Sequence, residues 1–173
     1  MDYFKDKLTR KELIDGFHII IMFVYIFSVL RVLRLIPSWD LFMNTWDLIG
    51  SIAYSLGFLL VESVIITALL ALLCLLLPRK WIKGYFVLYS TLFILGWTML
   101  VSLVNFMELY LVRYKLYVCF CLFYLVLVLI TRKSEEVRRS FDQLPARVIP
   151  LSTLYIALGL ISWFIILLRN TIL

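Results

Sequence analysis

Leu48–Leu77 reads LIGSIAYSLG FLLVESVIIT ALLALLCLLL, thirty residues in which Glu62 is the only charge. At a rise of 1.5 Å per residue this run makes a helix of about 45 Å, and a hydrocarbon layer of about 30 Å needs only about 20 apolar residues to be crossed. A soluble domain has no place for an apolar helix of that length. The stretch therefore decides the fold as a membrane fold.

Outward from it, the pattern repeats. Phe17–Ile36 is an apolar run closed by Pro37, and Tyr85–Val112 is another, interrupted by Arg113-Tyr114-Lys115. Two more follow, and the last ends at Arg169. The sequence predicts an all-α polytopic membrane helical bundle of five transmembrane helices, with spans near 17–36, 48–77, 85–112, 114–131 and 148–168. Residues 1–173 then form a single transmembrane domain. No cleavable signal peptide is expected, because the first run starts late, carries two arginines and lacks a small-x-small pair.

Composition agrees. Of the 173 residues, 64% are apolar and 16% charged, where soluble domains have about 45–50% and about 25%. That excess excludes a disordered tail, a secreted disulfide scaffold and a free DNA-binding domain. The net charge of +6 invites a nucleic-acid reading, but the Lys and Arg residues sit in short gaps between apolar runs and form no basic face. No nucleic acid partner is expected. With five spans, twelve of the 17 Lys and Arg fall on the N-terminal side of the membrane and five on the other. The positive-inside rule then predicts an N-in/C-out topology.

Several segments suit the water interfaces. Thr9-Arg10-Lys11-Glu12 fits a capping box that starts the first helix before the membrane. Ser134 can cap a short interfacial amphipathic helix over 135–144, with Glu135 and Glu136 in its first turn and Val137, Phe141 and Leu144 as one apolar stripe. Pro145 is expected to end it. Arg138 and Arg139 flank the stripe and suit anionic lipid headgroups on the cytoplasmic side, with Phe141 dipping into the interface. A docking helix for a cytoplasmic partner is the alternative. Trp39 and Trp46 suit the outer aromatic belt beside Asp40 and Asp47, and Trp81 and Tyr85 the inner one.

Charges inside the spans need a reason. Arg31, Arg34, Glu62 and Glu108 each cost about 2.5–3.5 kcal/mol at mid-helix on insertion scales. Arg31 and Arg34 come about 21 and 26 Å from the inner end of the first span, and Glu62 near the middle of the second. Ser51, Ser55 and Glu62 share one side of a helical wheel, next to a small-residue surface of Gly50, Ala53 and Gly57. Thr91, Thr98, Ser102 and Asn105 form a polar stripe on the third span, with Glu108 on its shoulder. The expectation is a polar cluster of Arg31, Arg34, Ser55, Glu62, Asn105 and Glu108. It serves either as glue between helices or as a site for a lipid phosphate, another anion or a titrating carboxylate.

Catalytic signals are missing. The one histidine, His18, shares a face with Tyr25 but lies about 140–160° around the wheel from Arg31 and Arg34. No Ser/His/Asp set, paired-His metal signature, haem pair or phosphate loop is present. Cys119 and Cys121 point about 200° apart on a helix, and Cys74 stands alone, so all three read as small apolar fillers. No catalytic residue, metal or cofactor is assigned. The leading expectation is a non-enzymatic multi-pass membrane protein, a subunit or accessory partner of a larger membrane complex. Its partners are then the lipid bilayer and other membrane subunits or further copies of itself. A small transporter, channel or lipid- and anion-binding protein using the Arg/Glu cluster comes second, and an intramembrane lipid-modifying enzyme third. The expected location is an integral membrane, the plasma membrane in a bacterium or an organelle in a eukaryote.

Overall fold

The computed structural model describes residues 8–76, 85–106, 115, 118–119, 121–126, 129–130 and 134–172. The described residues are almost all helical and contain no strand. Four helices carry the architecture: α1 (Arg10–Asp40), α2 (Thr45–Leu76), α3 (Phe86–Phe106) and α4 (Glu135–Ile172). The described residues within 115–130 are helical too, and there the Tyr124 ring fills the space that a side chain at Gly96 of α3 would take. Among the described residues three helices are long and apolar enough to cross a membrane: Arg10–Asp40, Thr45–Leu76 and Arg139–Thr171. Trp81, Glu108 and the turn at Arg113–Lys115, apart from Lys115 itself, lie outside the described residues.

Helix α1 starts at the capping box. The Glu12 N–H donates to Thr9 Oγ1 at 3.2 Å and the Thr9 N–H to Glu12 Oε2 at 2.9 Å, so two orphan donors are satisfied reciprocally. Asn44 caps α2 with a single bond of this kind, its side-chain oxygen accepting from the Asp47 N–H at 2.8 Å. The turn between the helices, residues 41–44, is tight, and α1 and α2 form an antiparallel hairpin that seats the Tyr25 hydroxyl on the Leu56 carbonyl. Helix α4 runs parallel to α1, pairing Ser152 with His18 and Tyr155 with Tyr25, and antiparallel to α2, pairing Trp163 with Gly57 and Arg169 with Asp47. Phe86 and Ser90 of α3 sit against Gly16, so α3 starts at the same end as α1.

Helix α1 is the centre. Ile19, Ile20 and Ile21 are each 0% exposed. Successive helical residues point about 100° apart, so three in a row are buried only where neighbours surround the helix. Helices α2, α3 and α4 do so, while α3 meets α2 only marginally. Beyond Tyr25 the cover thins. Phe27, Leu30 and Leu33 are exposed, and the second half of α1 emerges from the bundle.

Two expectations based on proline are corrected. Pro37 does not close the first helix, which continues to Asp40 with Pro37 inside it. Nor does Pro145 end a separate interfacial helix over 135–144, because that segment is the first part of a continuous 38-residue α4 containing Pro145 and Pro150. Each proline removes one backbone bond. Abandoning the helix in an apolar medium would strand many more, and Pro145 and Val148 are held buried against the bundle.

Candidate intramembrane polar site

His18 and Tyr25 are seven residues apart and share one face of α1, which the hairpin and α4 enclose. The Tyr25 hydroxyl donates to the Leu56 carbonyl at 2.8 Å, and its ring stacks on Tyr155 with centroids 5.1 Å apart at 19°. Gly159 makes this possible, since a Cβ there would lie 2.5 Å from Tyr25 Oη and 3.1 Å from Leu60 Cβ. Next in sequence to Leu56, the Gly57 carbonyl accepts from Trp163 Nε1 at 3.2 Å. Two adjacent carbonyls of α2 thus take side-chain donors from α1 and α4, using the second lone pair that each oxygen carries.

One turn or two toward the Arg10 end, His18 Nδ1 lies 2.7 Å from Ser152 Oγ, and Ser152 Oγ lies 2.9 Å from the Ile149 carbonyl. Which of the two partners takes the serine proton depends on the tautomer of the His18 imidazole. The pair binds α1 to α4. Across α1, Ser90 Oγ is a buried oxygen with no hydrogen-bond partner, at the contact with Gly16.

At the opposite end, Arg169 Nη2 meets Asp47 Oδ1 at 2.7 Å and Tyr54 Oη donates to Asn170 Oδ1 at 3.2 Å. The Arg169 guanidinium occupies the space over Gly50. Asp47 stands in the first turn of α2 and Arg169 in the last turn of α4, where each charge suits the helix dipole. The ion pair ties the two helix ends together.

The charged residues singled out in the sequence stand elsewhere. Arg31 and Arg34 are exposed on the emerging half of α1, and Glu62 is exposed on α2. Arg31 lies six residues beyond Tyr25 toward the Asp40 end, and Glu62 six residues beyond Leu56 in the other direction. Gly159 meets both Tyr25 and Leu60, which puts those two at one level of the hairpin, so Arg31, six residues to one side, and Glu62, two to the other, lie about 12 Å apart along the axis. Ser55 is half-buried, and its hydroxyl bonds to the Ser51 carbonyl of its own helix. Ser63, Thr67, Thr91 and Thr98 likewise bond to carbonyls four residues back. These described hydroxyls of the two expected polar stripes thus bond within their own helices. The side chains of Asn105 and Ser102, and all of Glu108, lie outside the described residues.

Of the interface residues, Trp39 and Phe141 are half-buried, Trp46 and Arg139 are exposed, and the Arg138 side chain lies outside the described residues. Among the described residues no group of three or more His, Cys, Asp or Glu side chains is placed to hold a metal. Cys74 is buried, Cys119 and Cys121 are exposed, and all three are free thiols. Sequence reasoning missed the α4 side of the site. Tyr155, Gly159, Trp163 and Ile166 fall at i, i+4, i+8 and i+11, one stripe mixing aromatic and small residues, and that spacing was the available signal. Comparison with models of known protein families, with characterised proteins and with solved structures finds no match for this chain.

Proposed function

We propose that this protein is a non-enzymatic, multi-pass membrane subunit that docks on a larger membrane complex through the outward faces of α1 and α2. In this reading it crosses the membrane five times, N-in and C-out. The parallel course of α1 and α4 supports the odd number of crossings, since it puts the start of α1 and the end of α4 at opposite ends of the bundle. Arg138 and Arg139, on the first turns of α4, then contact anionic headgroups on the N-terminal side.

The observation that carries the docking reading is Glu62. It sits midway along α2 and on its exposed side. Intramembrane carboxylates face a protein partner or water as a rule, because lipid leaves them uncompensated. On α2 the described hydroxyls of Ser55, Ser63 and Thr67 bond to carbonyls of their own helix, and the exposed Glu62 is the charged group that a partner on this face would meet.

A photo-crosslinking residue placed at Leu33, Ile65 or Leu69 in native membranes tests the docking. The expected result is a stoichiometric adduct with another polypeptide from these exposed positions and only intramolecular products from buried Leu70. Lipid adducts alone from all three exposed positions would refute the subunit reading. A reporter fused after Leu173 tests the topology, and its appearance on the same side as the N-terminus would overturn five spans.

A further inference from the structure

Gly16, Ile20, Phe27, Leu30 and Arg34 lie on one face of α1, at i, i+4, i+11, i+14 and i+18, with Arg31 at its edge. The cover of that face changes along its length. Phe86 and Ser90 of α3 sit against Gly16, and Ile20 is 0% exposed. Further along, Phe27 is 41% and Leu30 53% exposed, and Arg31 and Arg34 are exposed too. One face thus passes from covered to open, and its open part passes from apolar to cationic.

The cationic part falls at the edge of the membrane. Tyr25 and Gly159 stand at one level. From there Arg34 lies about 14 Å, Arg169 about 15 Å and Arg31 about 9 Å toward the Asp40 end. Arg169 pairs with Asp47, and both side chains are partly exposed, so this clasp marks the polar boundary at that end. Arg34 is level with the boundary and Arg31 about 6 Å inside it. Side chains on a helix set off toward its N-terminus. For these two arginines that direction is inward, away from water, so a compensating anion has to come down to them.

We infer that the open part of this face binds an anionic phospholipid, with its phosphate on Arg31 and Arg34 and an acyl chain along Leu30 and Phe27. The guanidinium fork matches phosphate oxygens. The apolar pair lies nearer the bilayer centre than the charges, which is the order of head and tail in a lipid of that leaflet. A zwitterionic lipid would bring its own cation to a place that already holds two, so the net-anionic lipid is preferred. The inference stands without the subunit reading, since it needs only a bilayer around α1.

The test places a photoreactive benzophenone side chain at Phe27 of the full chain, in phosphatidylcholine vesicles holding a minor share of phosphatidylglycerol. Phe164, 62% exposed on α4 in the same half of the bilayer, is the control position. Mass spectrometry of the adducts reads which lipid is captured. At Phe27 phosphatidylglycerol is expected about fivefold above its share of the bilayer, the effect of one arginine at an anionic surface, and at Phe164 at its plain share. Arg31→Gln together with Arg34→Gln should bring Phe27 down to the control. Arg31→Gln alone, the milder change, should lower the enrichment and leave capture at Phe164 as it was. Equal capture at the two positions, or enrichment that survives both Gln substitutions, overturns the inference. So does enrichment that inorganic phosphate abolishes and chloride of equal ionic strength does not, which makes free phosphate the ligand. Peptide adducts in place of lipid at Phe27 overturn it as well, because a protein segment then covers the face.

Discussion

On α2, Gly50, Ala53, Gly57, Ser63 and Thr67 are buried, while Phe58, Glu62, Ile65 and Leu69, a residue or two away, are exposed. In a soluble protein the second set, Glu62 apart, would be the core. Here small and hydroxyl-bearing residues make up most of the protein-facing side, with Leu59, Leu70 and Cys74 among them, and the outward side is mostly bulky and apolar. Lipid tails are as apolar as leucine, so burying Leu69 against protein gains little from water exclusion. Close approach of backbones is what gains, and that needs side chains no larger than glycine, alanine or serine. The comparison teaches that small size marks much of the packed face of this helix, with Leu59 and Leu70 as the bulky residues packed there too.

Gly159→Leu should break the packed side most severely. Its side chain would drive into Tyr25 Oη and Leu60, and overpacking of that kind costs about 3 kcal/mol. Denaturant titration of the purified protein in mild detergent would show a lower midpoint. A paired substitution sharpens the contrast between faces. Ser63→Leu, at a site that is 0% exposed, should cost about 2 kcal/mol, whereas Glu62→Leu beside it should change the stability of the isolated chain by less than about 0.5 kcal/mol. Equal costs for the two would end the distinction drawn here.

Tyr25→Phe keeps the ring stacked on Tyr155 and deletes only the bond to the Leu56 carbonyl. Interhelical hydrogen bonds in membranes average about 0.6 kcal/mol, so a loss of that size is expected in the same titration. Asp47→Asn should have the smallest effect, about 0.5 kcal/mol, because the pair with Arg169 is partly exposed. Its loss should shrink further in high salt, since ions screen exposed charges. A salt-independent loss would mean that Arg169 is held by packing over Gly50 instead.

Much of the fold was legible. Long apolar runs gave the helices, Thr9 and Glu12 gave the start of α1, and the Gly50, Ala53, Gly57 surface is where α4 packs. The shared face of His18 and Tyr25 was visible too, though not that it is the enclosed one. Burial of that face depends on α4, which comes well over a hundred residues later in the chain. The proline signals misled for a physical reason: rules for helix ends come from chains that water can satisfy, and an apolar medium penalises a broken helix more than a missing bond. Ser55 and Glu62 share a wheel position yet differ in cover, because protein neighbours cover α2 at the height of Ser55 and leave Glu62 open. The Asp47–Arg169 pair joins residues 122 positions apart, and no local spacing encodes it.

The unbroken course of α4 has a mechanical consequence. Its 38 residues extend about 57 Å, nearly twice the hydrocarbon thickness. A helix resists axial compression, so a push at Leu151 arrives at Arg169 as a displacement, with the Asp47 clasp at the receiving end. Pro145 and Pro150 leave the carbonyls of Phe141 and Ala146 without their helical donors. These are the joints of the rod, both set at one end of it. The stretch beyond Pro150, which carries Tyr155, Gly159 and Trp163, transmits force as a single stiff piece.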